Sequence, residues 1–230
     1  MIIGIFGDSF GAPLNELSWT SILKNKYLFD IKNYAFACTT TFWSYRKLQN
    51  HIHEVDTVIF VLTEANRLYH PNKDYLKVCT LDTVHRQLKN NSISHDAREI
   101  YKAAEQYHLH LADFSFNEFV QVQLIKEITL LCQQHNKKLI IIPAFSSDIP
   151  HQTIFQNALF DITMQEIYTN FNDHTYRYEK VNQRANHLSK ENNEQLASLI
   201  NKLINNYIEK ITLDDFIFTK YDNPELYWEI

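Results

Sequence analysis

Glycine is nearly missing from this chain. Among 230 residues there are three, and Gly4, Gly7 and Gly11 all fall inside the stretch IIGIFGDSFG at residues 2–11. Whatever backbone freedom glycine supplies is therefore spent in one place. Cysteine is also scarce: Cys38, Cys79 and Cys132 are far apart, odd in number and form no C-x-x-C pair. That excludes a disulfide framework and leaves reduced, buried thiols in a cytosolic protein as the expectation. Long apolar runs are absent too. The longest, LIIIPAF at 139–145, is too short to cross a bilayer and contains Pro143. No basic segment followed by an apolar one stands ahead of the first strand, so no signal peptide is expected and the reading is a soluble, cytoplasmic protein. Nor is positive charge in excess. The 22 basic residues against 27 acidic ones leave a net charge of −5, and Lys and Arg are scattered rather than striped, which argues against a nucleic-acid partner.

What the chain does have is enough apolar residues for a real core, 45 % against 21 % charged, at a length that suits one domain. Short apolar runs alternate with longer amphipathic ones, the rhythm of βαβ units around a parallel sheet. Strands are expected at 1–6, 28–35, 56–62 and 137–145. Helices are expected at 16–27, with Leu17, Ile22 and Leu23 inward, at 41–54 and at 119–135. The segment 71–115 is long for a crossover and reads as an inserted helical cap. A last helix spans 189–210, with Ser189 as its N-cap and Leu196, Leu199, Ile200, Leu203, Ile204 and Tyr207 on its core face. Residues 1–210 thus form a single α/β domain. The aromatic tail at 211–230 either packs back on the domain or meets a partner, giving a possible homo-oligomer.

The glycine motif directly follows the first strand. In an open parallel sheet ligands collect beyond the carboxyl ends of the strands, so Ser9 stands where a ligand would enter. Gly7 and Gly11 are expected to keep its approach uncrowded, and Asp8 to fix the turn by hydrogen bonding. Residues 4–11 run G-x-x-G-x-x-x-G, not the G-x-G-x-x-G of a dinucleotide site, and no acidic residue ends the second strand. GDSFG matches the G-x-S-x-G nucleophile elbow in form, but only six residues precede it, which excludes the α/β-hydrolase fold. The remaining reading makes Ser9 a nucleophile that needs a base from elsewhere in the chain. His187, in NHLSKEN just before the last helix, supplies one at the same sheet edge.

Gly-Asp-Ser-Phe after the first strand, with His-Leu-Ser before the last helix, resembles the SGNH (GDSL-type) hydrolase family over residues 1–210. The resemblance implies a three-layer α/β/α sandwich of the flavodoxin-like type and hydrolysis of an acyl or acetyl ester, carbohydrate or lipid. It implies Ser9 as nucleophile and His187 as base. It also implies an oxyanion hole from the Ser9 amide, the Cys38 amide in NYAFACTTT and the Asn66 side chain in LTEANR, with no metal or organic cofactor. The sequence departs from the family in three places. Cys38 stands where a glycine is usual, LTEANR lacks the glycine of the third block, and Arg184 in RANH takes the place of the acid that orients the histidine. Asp148 is then the possible supporting acid, or a backbone carbonyl does that work. Arg184 is a possible ligand for an anionic substrate. Arg67 either binds a substrate carboxylate or phosphate or makes a surface ion pair. The alternative is a relative that has kept the fold for binding or structure and lost the chemistry. His51, His53, His108 and His110 read as solvated histidines rather than metal ligands, and Trp19 and Trp43 as packing.

Overall fold

Four of the apolar runs become strands: β1 (Ile2–Phe6), β2 (Asp30–Asn33), β3 (Thr57–Leu62) and β4 (Lys138–Pro143). They all pair in parallel, in the order β2-β1-β3-β4. Among the described residues the helices are α1 (Trp19–Asn25), α2 (Thr41–His51), α3 (Leu81–Leu88), α4 (His95–His110), α5 (Phe114–Gln134) and α6 (Lys190–Ile204). These come from a computed structural model that describes residues 1–13, 15–144, 188 and 190–216. The tail beyond 216 and the expected N-cap Ser189 lie outside the described residues.

The pleat sorts the strand residues into two cores. Ile3, Ile5, Ile59, Val61, Ile140 and Ile142 face one side, against Trp19, Ile22 and Leu23 of α1 and the apolar stripe of α6. Phe6, Val58, Phe60 and Leu62 face the other, against Leu48 of α2 and Ile125, Ile128 and Cys132 of α5. Helices on both faces of a parallel sheet make the expected three layers. β3 is buried at every position, which is why TVIFVL reads as a continuous apolar run rather than an alternating one. Between β3 and α5, helices α3 and α4 share a small core of their own built on Val78, Val84, Tyr101 and Ala104.

The element ends differ from the sequence reading for local reasons. α5 begins at Phe114 because the Asp113 carboxylate accepts the Phe116 N–H at 3.0 Å. Phe114, Phe116 and Phe119 on that first stretch are exposed, so no apolar periodicity announces it. α6 stops at Ile204, not 210. Lys138 Nζ from β4 donates to the Leu203 and Ile204 carbonyls at 2.9 and 3.2 Å, and Asn206 turns the chain with φ +59. Tyr207, expected on the core face, is 78 % exposed. In α1 the buried face is carried by Trp19, Ile22 and Leu23, while Leu17 precedes the helix.

The glycines are also explained differently. A Cβ on Gly7 would lie 2.6 Å from Val61 Cβ and 2.8 Å from Val61 O, and one on Gly4 would meet Phe6 and Val55 at 2.8 Å. A Cβ on Gly11 would sit 3.1 Å from Ala35 Cβ. What they permit is close packing of β1 and its turn against neighbouring chain, rather than an uncrowded approach to Ser9. Gly7 has a second reason, φ +150, which L-residues rarely adopt. Gly7→Ala is therefore expected to cost about 3 kcal/mol, from overpacking against backbone plus dihedral strain. In a thermal melt that is a fall in Tm of roughly 5–10 °C, and a fall below about 2 °C would contradict the account.

Candidate active site

In this strand order the chain leaves β1 toward β2 on one side and returns to β3 on the other, so the switch point lies between β1 and β3. Ligands of open α/β sheets bind in the crevice beyond the carboxyl ends at such a point. The three loops that leave β1, β2 and β3 meet there, and they carry GDSFG, the Cys38 segment and LTEANR.

The first loop is organised by Asp8, whose side chain is fully buried. Its Oδ1 accepts the Phe10 N–H at 3.0 Å, and its main-chain carbonyl accepts the Gly11 and Ala12 N–H groups, both at 3.1 Å. This is the turn-fixing role expected of Asp8. The Ser9 amide is not part of that set, and Ser9 itself sits at the turn with 8 % of its surface exposed.

The second loop is laced to the first. Phe36 N–H donates to Gly7 O at 3.0 Å, and Asn33 Nδ2 donates to Gly11 O at 2.8 Å. Thr39 Oγ1 lies 2.7 Å from Phe36 O and 3.1 Å from Gly7 O. Cys38 stands inside this lacing with φ +62. A non-glycine residue thus holds a left-handed conformation that glycine would take without strain. The neighbouring Cys38 thiol and then burial push the Cys79 thiol well above its ordinary range. No disulfide joins them, and Cys79 and Cys132 are buried.

In the third loop Asn66 and Arg67 diverge. Asn66 Oδ1 accepts from Asn117 Nδ2 of α5 at 3.4 Å. Arg67 is expected either to bind a substrate carboxylate or phosphate or to make a surface ion pair. Its side chain is instead only 8 % exposed, with Nη1 2.8 Å from Asp8 Oδ2 and 3.0 Å from the Thr39 carbonyl, and Nη2 3.7 Å from Glu64. Burial works against its charge, but Asp8 and then Glu64 outweigh that and raise the guanidinium pKa. Behind the loop, Gln121 of α5 donates to Thr63 O at 2.9 Å and accepts from Thr41 Oγ1 at 3.2 Å. Beside it lies a cavity of about 290 Å³, lined by Thr40 and Arg67 from the loops and by Phe42, Tyr69, Phe116 and Val120.

A fourth connection was not visible in the sequence. Trp19 Nε1 donates to Phe10 O at 2.7 Å, Trp19 N–H donates to Asn193 Oδ1 at 3.0 Å, and Asn193 Nδ2 donates to Leu188 O at 2.9 Å. This buried chain runs from the residue after Ser9 to Leu188, the residue after His187 in sequence. Trp19 therefore does more than pack, and Asn193 faces inward in the first turn of α6, where the apolar pattern gave no reason to look. His187, Asp148 and Arg184 themselves lie outside the described residues.

Comparison with known proteins agrees with this architecture. No family model matches the sequence, and no curated protein matches it. Among solved structures, the chain is similar to an acetyl xylan esterase, AlAXEase, with a TM-score of 0.50 at 11 % identity, over 89 % of this chain and 100 % of that one. Psychrotrophic esterase EstA from Pseudoalteromonas sp. is similar over 90 % of this chain and 97 % of its own, with a TM-score of 0.38 and 12 % identity. The chain has the SGNH hydrolase fold. Within that fold the first, second and third loops are the ones the sequence resemblance singled out, and here they are joined by Arg67.

Among the described histidines, His51 Nδ1 lies 2.7 Å from Glu54, His108 Nε2 lies 2.9 Å from the Val78 carbonyl, and His53 meets the His135 ring edge-on. Among the described residues no helix is long and apolar enough to cross a membrane. The left-handed Cys38 provides a direct check on the loop. Cys38→Gly should be more stable than Cys38→Ala by about 1 kcal/mol, since both lose the thiol and only the alanine keeps the Cβ strain. Equal urea midpoints for the two variants would show that the loop does not hold that dihedral.

Proposed function

We propose that the chain is a serine-dependent ester hydrolase. Ser9 Oγ attacks the acyl carbonyl as His187 takes its proton, and the carbonyl oxygen becomes an oxyanion held by the Ser9 and Cys38 amides and the Asn66 side chain. Collapse breaks the C–O bond to the alcohol, which leaves with the proton from His187. Water, deprotonated by His187, then cleaves the acyl-Ser9 ester and restores the hydroxyl. The observation that carries this reading is the buried hydrogen-bond chain Phe10–Trp19–Asn193–Leu188. It ties the neighbour of Ser9 to the neighbour of His187, and a fold that invests a buried indole N–H and a buried carboxamide there gains from holding those two positions together. The cavity beside the third loop is of a size and lining that suit part of an ester substrate. The reaction class agrees with the esterases whose fold the chain shares.

Incubation with a fluorophosphonate is expected to add one label, lost in Ser9→Ala. Asn193→Ala is expected to slow labelling by on the order of 10², as misplacement of a catalytic pair by an ångström does. Labelling that persists in Ser9→Ala, or no turnover of short-chain p-nitrophenyl and acetyl-sugar esters at high protein concentration, would overturn the assignment. The latter result would favour the binding or structural relative that Arg184 in place of the family acid suggests.

Support for His187 is proposed to come from Asp148. Asp148→Asn should then lower kcat by on the order of 10²–10⁴ with little change in KM, and Arg184→Asp should bring no gain. A silent Asp148→Asn together with a faster Arg184→Asp enzyme would instead leave Ser9 and His187 as an unsupported dyad.

A further inference from the structure

The resemblance to hydrolases accounts for Ser9, Cys38 and Asn66 but gives no task to Arg67, although Arg67 touches all three loops. A buried guanidinium needs a counter-charge and acceptors for its N–H groups. Here both come from the residues flanking the proposed reacting groups: Asp8, which precedes Ser9, at 2.8 Å, and the carbonyl of Thr39, which follows Cys38, at 3.0 Å. Asp8 is held from both ends, because its other carboxylate oxygen accepts the Phe10 N–H at 3.0 Å. Thr39 is likewise held twice, by its carbonyl and by its hydroxyl near Gly7 O. Between these fixed points sits the left-handed Cys38, a conformation that relaxes if its neighbours are released.

We propose that Arg67 is a positioning residue, one that locks the turn carrying Ser9 and the loop presenting the Cys38 amide into a single frame by bridging Asp8 and Thr39. The proposal rests on the reading of Ser9 as nucleophile, since it states what the bridge does for acyl transfer. Both contacts are made by one nitrogen, Nη1, so a lysine ammonium, with its charge and three donors, restores the bridge as far as its shorter, non-planar head reaches.

The test uses the full chain with Arg67→Gln, Arg67→Lys and the pair Asp8→Asn with Arg67→Gln. Each is assayed on p-nitrophenyl acetate well below its own melting temperature. Removing one member of a buried ion pair can cost the fold itself. The double variant removes both charges at once and keeps the question answerable. Arg67→Gln is expected to lower kcat by roughly 10- to 100-fold while KM changes by less than about threefold. Arg67→Lys should recover part of the loss, and the double variant should lose no more than Arg67→Gln alone, because the two side chains act as one unit. Hydrogen exchange should quicken in peptides covering 7–12 and 36–40 and not across the sheet. A folded Arg67→Gln or double variant with wild-type kcat would overturn the proposal, as would exchange that rises uniformly through the domain. If the wild type shows no Ser9-dependent turnover, the hydrolase reading fails, and the frame is judged on exchange alone: unchanged protection in those two peptides overturns it.

Discussion

A charge taken out of water has to be answered locally, and the loops of this protein are arranged around one such answer. The Arg67 guanidinium lies in the interior with the Asp8 carboxylate against it. Either group left there without the other would carry a desolvation cost of several kcal/mol, on the order of the net stability of a whole domain. The pair therefore holds together whenever the domain is folded, and everything covalently next to it is held as well. The turn after β1, the loop after β2 and the loop after β3 have separate origins in the sequence. They share one electrostatic constraint, and the Thr39 carbonyl completes it.

That constraint works only because the sheet brings the three loops to one edge. Parallel pairing in the order β2-β1-β3-β4 puts the carboxyl ends of β1 and β3 side by side, with their crossovers on opposite faces. The interval between β1 and β3 is narrow at its upper end, where Gly7 approaches Val61 more closely than any Cβ would allow. Close packing, buried charge and the strained Cys38 dihedral thus fall within a few residues of one another. Such departures from local preference gather where a fold is being used for something besides stability.

Much of the fold was legible because burial leaves periodic marks on sequence. TVIFVL and the apolar runs of β1 and β4 read as strands of a two-sided sheet, and α6 read as a helix from its leucines and isoleucines. The errors lie where a single non-periodic bond decides. α6 ends early because Lys138 from another element takes its last carbonyls, and α5 starts early because Asp113 caps exposed phenylalanines. The site was legible in its first loop, where Asp8 acts on residues two to four positions away. It was not legible in Trp19, Asn117 or Asn193, whose partners are far along the chain.

The sequence by itself determined the parallel α/β architecture, the placing of Ser9 at a strand's carboxyl end and the tight turn around it. These follow from side-chain periodicity and from hydrogen bonds within one turn, both of which the chain carries locally. Only the tertiary structure decided that Arg67 faces inward to Asp8 rather than outward to solvent, that Cys38 adopts a left-handed conformation, and that Asn193 reaches Trp19 across 174 residues. Those outcomes depend on which strand ends the sheet order makes neighbours. A buried polar group takes its partner from whatever that order delivers, and no local pattern records the choice.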